Sequence, residues 1–248
     1  MRQQYSLEEV LAQRSAPQSQ ATNLVPEHLL RRTVEVPSAK WRMQSDWSAR
    51  VRATSDHHSR AFKSLLNKLA PSNLERIQAK LLLEVTEATS PCLAELLLEK
   101  GIGEQKFGAA YAQLCQQVTE AREYFKKDFL TACQVLFEGL VEGTPERARL
   151  LASVNFVGHL INSKAIPAKV LKICCDMMLE QRSELCFEGL CHLLGTCNWA
   201  FAHPRLKADV RRYIGLLTQT QEEFSSITKF KVRDLVETQS LAVLENLR

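Results

Sequence analysis

Four residues crowd one stretch of the chain: Cys186, Cys191, His192 and Cys197. Thiolates beside an imidazole are what a zinc ion takes as ligands. The spacing lacks the close cysteine pairs of a zinc site, however, and the intervening LLGT reads as helix. These residues, together with Cys92, Cys115, Cys133, Cys174 and Cys175, sit in apolar helical patterns. They are read as reduced core thiols of a cytoplasmic or nuclear protein. His159 and His192 fall within apolar runs as core histidines, and His57 and His58 are placed in a turn before the first helix. The acidic pairs Glu8–Glu9 and Glu222–Glu223 take solvated positions. No phosphate loop, HExxH or nucleophile elbow occurs. The reading is therefore no catalytic residue, no metal and no cofactor. A hydrolase or metal enzyme built on the Cys–His group is the rival of another class, and it requires bound metal.

The elements that would carry these residues begin near Phe62. From there the sequence reads as about ten helices with Pro- or Gly-marked turns and no alternating strand pattern. SNLERIQAKLLLEVTEA opens on a capping box, Ser72 with Glu75. SPCLAELLLEKG has Pro91 at its first position and Gly101 past its end. Successive pairs recur at roughly thirty to forty residues, the period of helical arrays whose pairs must stack to bury their apolar faces. The expected fold is an all-α, right-handed α-solenoid of about five HEAT-type hairpins over residues 60–248. Such a fold offers extended surfaces rather than a reaction pocket.

Two segments precede it. In YSLEEVL, residues 5–11, Ser6 and Glu9 form a capping box and Tyr5 faces Val10 as a hydrophobic staple. Leu7, Val10 and Leu11 share one face. So short a helix is marginal alone and gains its order from what it docks on; residues 1–14 are read as a partner-binding helix. Residues 15–59, with Pro17, Pro26 and Pro37, read as an extended linker. Trp41 and Trp47 in that linker each need a surface to cover them. A net charge of +4 on 248 residues is too slight to require a nucleic-acid partner. The basic residues Arg147, Arg149, Lys207, Arg211 and Arg212 are the weak candidates for RNA. No apolar run approaches the roughly twenty residues that span a bilayer, and no signal-peptide region opens the chain.

FKSLLNKLAPSNLERI resembles the opening of the middle domain of the eukaryotic translation initiation factor 4G family, with Phe62, Leu66, Asn67, Lys68, Leu69 and Pro71 in the family's places and Ala70 where Thr is usual. FGAAYAQLC, VNFVGHL, SELCFEGLCHLLGTC and SSITKFKVRDLVE continue the resemblance in order, over residues 60 to about 240. It implies a stack of five HEAT-type hairpins that clamps a DEAD-box RNA helicase, initiation factor 4A. The implied helicase contacts are Leu66, Leu69 and Leu74 in the first hairpin, Phe230 near the last, and Trp41 upstream, which fits better than Trp47. Leu74 stands where the family often has Phe. The resemblance also gives the N-terminal helix a role. The family binds the cap-recognition protein, initiation factor 4E, through Tyr-x-x-x-x-Leu-φ. Tyr5 and Leu11 match it, and Val10 replaces the central Leu. The implied protein is a cytoplasmic translation initiation scaffold, monomeric without its partners, with mRNA as a further contact. Its nearest rival is a scaffold of the same fold in RNA decay, splicing or ribosome maturation, bound to a different helicase.

Overall fold

The computed structural model describes residues 47, 49–51, 56–142, 145–197, 204–220 and 224–245. They belong to one unit, Trp41–Arg248. From residue 56 onward, ten α-helices occur among the described residues: α1 Asp56–Leu66, α2 Leu74–Glu84, α3 Ser90–Gly103, α4 Gly108–Ala121, α5 Glu123–Glu142, α6 Arg147–Asn162, α7 Lys169–Glu180, α8 Glu184–Thr196, α9 Pro204–Thr220 and α10 Ser226–Glu245. No strand occurs among the described residues. The all-α solenoid expected from periodicity is the fold observed.

The helices form two layers. The even-numbered helices pack in series, α2 on α4, α4 on α6, α6 on α8 and α8 on α10, with the α6–α8 seam the most extensive. The odd-numbered helices form the second series, in which α3 packs broadly on α5 but α5 touches α7, and α7 touches α9, only sparingly. The fifth helix leans on α3 and α4 rather than on its successor α6. Each helix presents one apolar stripe, and stacking supplies the second surface that a lone hairpin lacks. Tyr111, Tyr213, Phe62, Phe125, Phe129 and Phe156 fill the space between layers.

Several local expectations give way to other devices. Residue Ser72 does not start α2; residues Pro71–Asn73 form a 3-10 turn first. Asn73 does the capping work, its Oδ1 accepting from Ala70 N–H at 2.9 Å and its Nδ2 donating to Lys68 C=O at 2.7 Å. Gly101 lies inside α3 rather than past its end. A side chain there would run into the ring of Phe156, 2.1 Å from Cζ. The glycine is required by close helix approach, not by a helix stop. His57 and His58 lie on α1, with their rings edge to face.

The linker expected up to residue 59 is also cut short. Trp47 is buried in the domain core and Val51 packs against it. Arg50 donates to both carboxylate oxygens of Asp128 on α5, at 2.7 and 3.2 Å. Asp128 is almost wholly enclosed, and a buried carboxylate needs such a partner. Residues 47 and 49–51 are helical, so Trp47, Arg50 and Val51, spaced i, i+3, i+4, come from one face.

Candidate functional site

The first hairpin turns its leucines inward. Leu66, Leu69 and Leu74 are 1%, 7% and 6% exposed, which corrects their expected role as direct partner contacts. Leu66 shares a stripe with Phe62 four residues earlier, and both lie in the hydrophobic core. The Tyr111 hydroxyl on α4 sits at the turn, donating to Glu104 Oε2 at 2.8 Å and lying 3.2 Å from Leu66 C=O. The hydrogen bond from Lys100, with a smaller one from Tyr111, holds the Glu104 carboxyl below its ordinary range against the effect of burial. Burial, then Glu104, pushes the Tyr111 phenol up, so Tyr111 stays a donor. Around its turn this hairpin exposes Asn67, Lys68, Pro71, Ser72, Glu75 and Arg76, and farther along α2 it exposes Leu83. Pro71 to Arg76 line a groove of about 630 Å³ with Gln113 and Gln117 of α4. The Gln117 Oε1 is buried there without a hydrogen-bond partner.

At the other end a charged junction ties α6, α8 and α10 together. Glu188 on α8, only 6% exposed at its side chain, receives Arg147 from α6 and Lys231 from α10. Arg147 Nε donates to Glu188 Oε2 at 2.8 Å and its Nη2 grips Oε1, which also accepts from Lys231 Nζ. His192 Nε2 lies 3.0 Å from the same ammonium. Burial first, then Lys231, lowers the His192 pKa, with Glu188 opposing; the ring is thus neutral near pH 7 and accepts from Lys231. One turn away, Glu184 accepts from Ser225 N–H and Thr228 Oγ1, both at 2.9 Å. A carboxylate of α8 therefore caps the start of α10.

Beside this junction the C-terminal helix shows its apolar side. Phe230 is 71% exposed and Ile227, three residues earlier, is 61% exposed. A groove of about 410 Å³ runs between α8 and α10, and Phe230 forms part of its wall with His192, Gly195, Thr196, Asp234 and Leu235. Of the expected helicase contacts that lie among the described residues, Phe230 is the one whose side chain is exposed.

The junction makes a pH prediction. Burial pushes the Glu188 carboxyl up, but the hydrogen bonds from Arg147 and Lys231 outweigh it, and the pKa lies below the ordinary 4.5. The Glu184 pKa is lowered as well, by Ser225 first and then Thr228. A carboxylate depressed in the folded state stabilises fully above its unfolded pKa and loses that contribution as the pH falls through the folded value. The melting temperature should therefore drop below about pH 4.5. The Glu188→Gln variant should start lower at pH 7 and show a shallower acid decline. An identical acid profile for the two proteins would refute the role given to this carboxylate.

The residues put forward for RNA are differently placed. Arg147 is engaged by Glu188, so its charge is committed within the protein. Arg212 lies 3.5 Å from Asp176 and 4.9 Å over the Tyr213 ring, and the Tyr213 hydroxyl donates to the same carboxylate at 2.6 Å. Arg149 and Arg211 are exposed, and Lys207 is half-buried. No group of three or more His, Cys, Asp or Glu side chains is set to share a metal among the described residues. Burial pushes the Cys191 and Cys197 thiols up to about 12, which keeps them protonated. No helix among the described residues is long and apolar enough to cross a membrane. Tyr5, Leu7, Val10, Leu11 and Trp41 lie outside the described residues.

Sequence reasoning missed the Arg147–Glu188–Lys231 junction, whose members are about forty residues apart at each step. It also left Trp47 in the linker, whereas the structure places it in the core. The helical spacing of Trp47, Arg50 and Val51 was the available signal.

Residues 59–242 match the family model described as MIF4G domain. The chain is 24% identical over 219 residues to eukaryotic translation initiation factor 4G of Oryza sativa subsp. japonica. It is 25% identical over 223 residues to eukaryotic translation initiation factor 4 gamma 1 of Mus musculus. It is 23% identical over 237 residues to eukaryotic translation initiation factor 4 gamma 2 of the same organism. These matches cover 72%, 72% and 77% of this chain but only 12%, 14% and 26% of those relatives' lengths.

Proposed function

Because the chain belongs to the MIF4G domain family, we propose that it is a translation initiation scaffold, acting in the cytoplasm, that holds a DEAD-box RNA helicase, initiation factor 4A, against its helical stack. The observation that carries the helicase half is Phe230, an aromatic ring 71% exposed on α10 at the position implied for a helicase contact. A solvent-facing aromatic beside an open groove has the makings of an interface anchor. At the first hairpin the contact falls to the exposed turn, Asn67, Lys68, Pro71, Ser72, Glu75 and Arg76, with the buried leucines shaping that turn from beneath. Trp41 adds a contact upstream.

The N-terminal segment is proposed to bind the cap-recognition protein, initiation factor 4E, through Tyr5, Leu7, Val10 and Leu11 as a helix laid on a partner surface. Joining the two activities on one chain raises the local concentration of helicase near the capped end of a message. Exposed Arg149 and Arg211 supply incidental contact with mRNA.

The deciding experiment is a pull-down with the full chain, identifying the helicase and cap-binding protein retained. Phe230→Asp should weaken helicase binding roughly tenfold or more with an unchanged melting temperature. Tyr5→Ala should abolish retention of the cap-binding protein and leave the helicase bound. Wild-type retention by both variants, or capture of a helicase from RNA decay, splicing or ribosome maturation instead, favours the rival scaffold.

A further inference from the structure

The groove between α8 and α10 holds three features that fold stability does not require. The first is Gly195, an exposed glycine in the last turn of α8. A Cβ there would meet only Leu235 Cδ1 at 3.9 Å, so packing within this chain leaves room for a side chain. Its φ is not positive, so the backbone does not demand glycine; a helical glycine is less favourable than alanine, and its bare backbone lets another chain approach closely. The second is Asp234, exposed on the groove wall one turn beyond Phe230 and forming no ion pair among the described residues. Its neighbour Lys231 cannot supply one, since that ammonium turns inward to Glu188 and His192. The third is Phe230 itself, standing at the groove's edge.

Taken together, bare backbone, an aromatic wall and an uncompensated negative charge specify an occupant. Resting on the helicase reading above, we propose that this groove takes a segment of the helicase whose backbone lies against Gly195 beside the Phe230 ring and whose Lys or Arg side chain pairs with Asp234. Gly195 and Asp234 are thus specificity determinants that the resemblance does not supply. A cationic side chain fits better than a neutral donor because it supplies the Coulomb attraction that Asp234 lacks among the described residues.

The test uses the full chain and recombinant initiation factor 4A, measuring Kd at several salt concentrations alongside the melting temperature. Gly195→Ala should raise the melting temperature, because helix propensity improves, yet weaken binding severalfold; Gly195→Leu should weaken it further. Asp234→Asn should weaken binding severalfold and flatten its salt dependence, and Asp234→Arg should weaken it roughly tenfold or more. Binding that is wild-type in all four variants overturns the groove assignment while leaving the helicase reading standing. Absence of binding by the wild-type chain overturns both. A loss confined to the Gly195 variants, with the Asp234 variants unaffected, removes the cationic partner and overturns the proposal as stated.

Discussion

Replacing Leu66 and Leu69 together by aspartate should unfold the protein rather than strip a binding face from it. Were these leucines the contact itself, far-ultraviolet circular dichroism would stay helical while helicase binding disappeared. Their 1% and 7% exposure reverses that expectation. Truncating a buried leucine to alanine already costs about 2–5 kcal/mol. Aspartate adds the desolvation of a carboxylate with no partner in the Phe62–Tyr111 neighbourhood. Two such changes approach the whole of an ordinary domain's stability, about 5–15 kcal/mol. The expected result is loss of helical signal at 25 °C, or a denaturation midpoint moved near zero. Lys68→Glu with Arg76→Glu is the companion variant. Both residues are exposed, so it should fold normally and test the turn's outer surface alone. Retained helicity in the double aspartate variant would mean that these side chains do not lie in the core.

Gly101→Ala should destabilise the protein, against the usual sign for a helix glycine. An exposed helix position gains about 1 kcal/mol from that change. At Gly101, three ring atoms of Phe156 lie 2.1–2.5 Å from where the new carbon would sit. Phe156 is itself 2% exposed, so its ring has no open side to swing into. Overpacking of this kind costs about 1–3 kcal/mol, occasionally more. The check is a double-mutant cycle by chemical denaturation. Phe156→Leu should cost stability alone but recover part of the loss in the Gly101→Ala background, giving a coupling energy of about 1 kcal/mol or more. Gly139 on α5, with nothing within 4 Å of a new carbon, serves as the control and should gain from alanine. A gain at both positions would disprove the close approach of α3 and α6.

These two cases mark how far the sequence can be read. Helix number and pairing were legible because each apolar stripe repeats with the helical period and several breaks, as at Pro71, Pro145 and Pro167, carry Pro. A stripe does not reveal which layer of a stack will cover it. Leu66, Leu69 and Leu74 match residues of a known contact, yet the same pattern is what buries them. Gly101 looks like a helix stop because glycine often is one; the ring that demands it comes from a helix more than fifty positions away. Asn73 rather than Ser72 precedes α2 because a 3-10 turn shifted the helix start by one residue, within the ordinary slack of helix ends. Phe230 was legible only through resemblance, since its helix would accept the ring facing inward equally well. The Glu188 junction left no local trace, because each partner looks like an ordinary solvated charge.

The unequal seams of the two layers also have a mechanical consequence. The even-numbered series is laced continuously from α2 to α10, while the odd-numbered series thins where α5 meets α7 and where α7 meets α9. A stack stitched firmly along one side and loosely along the other bends most readily by opening the loose side. Its softest deformation is a change of curvature, with the α4–α6–α8 seam as the neutral line. Two bodies held at opposite ends of such a spring would feel each other's spacing without any rearrangement of the residues that grip them.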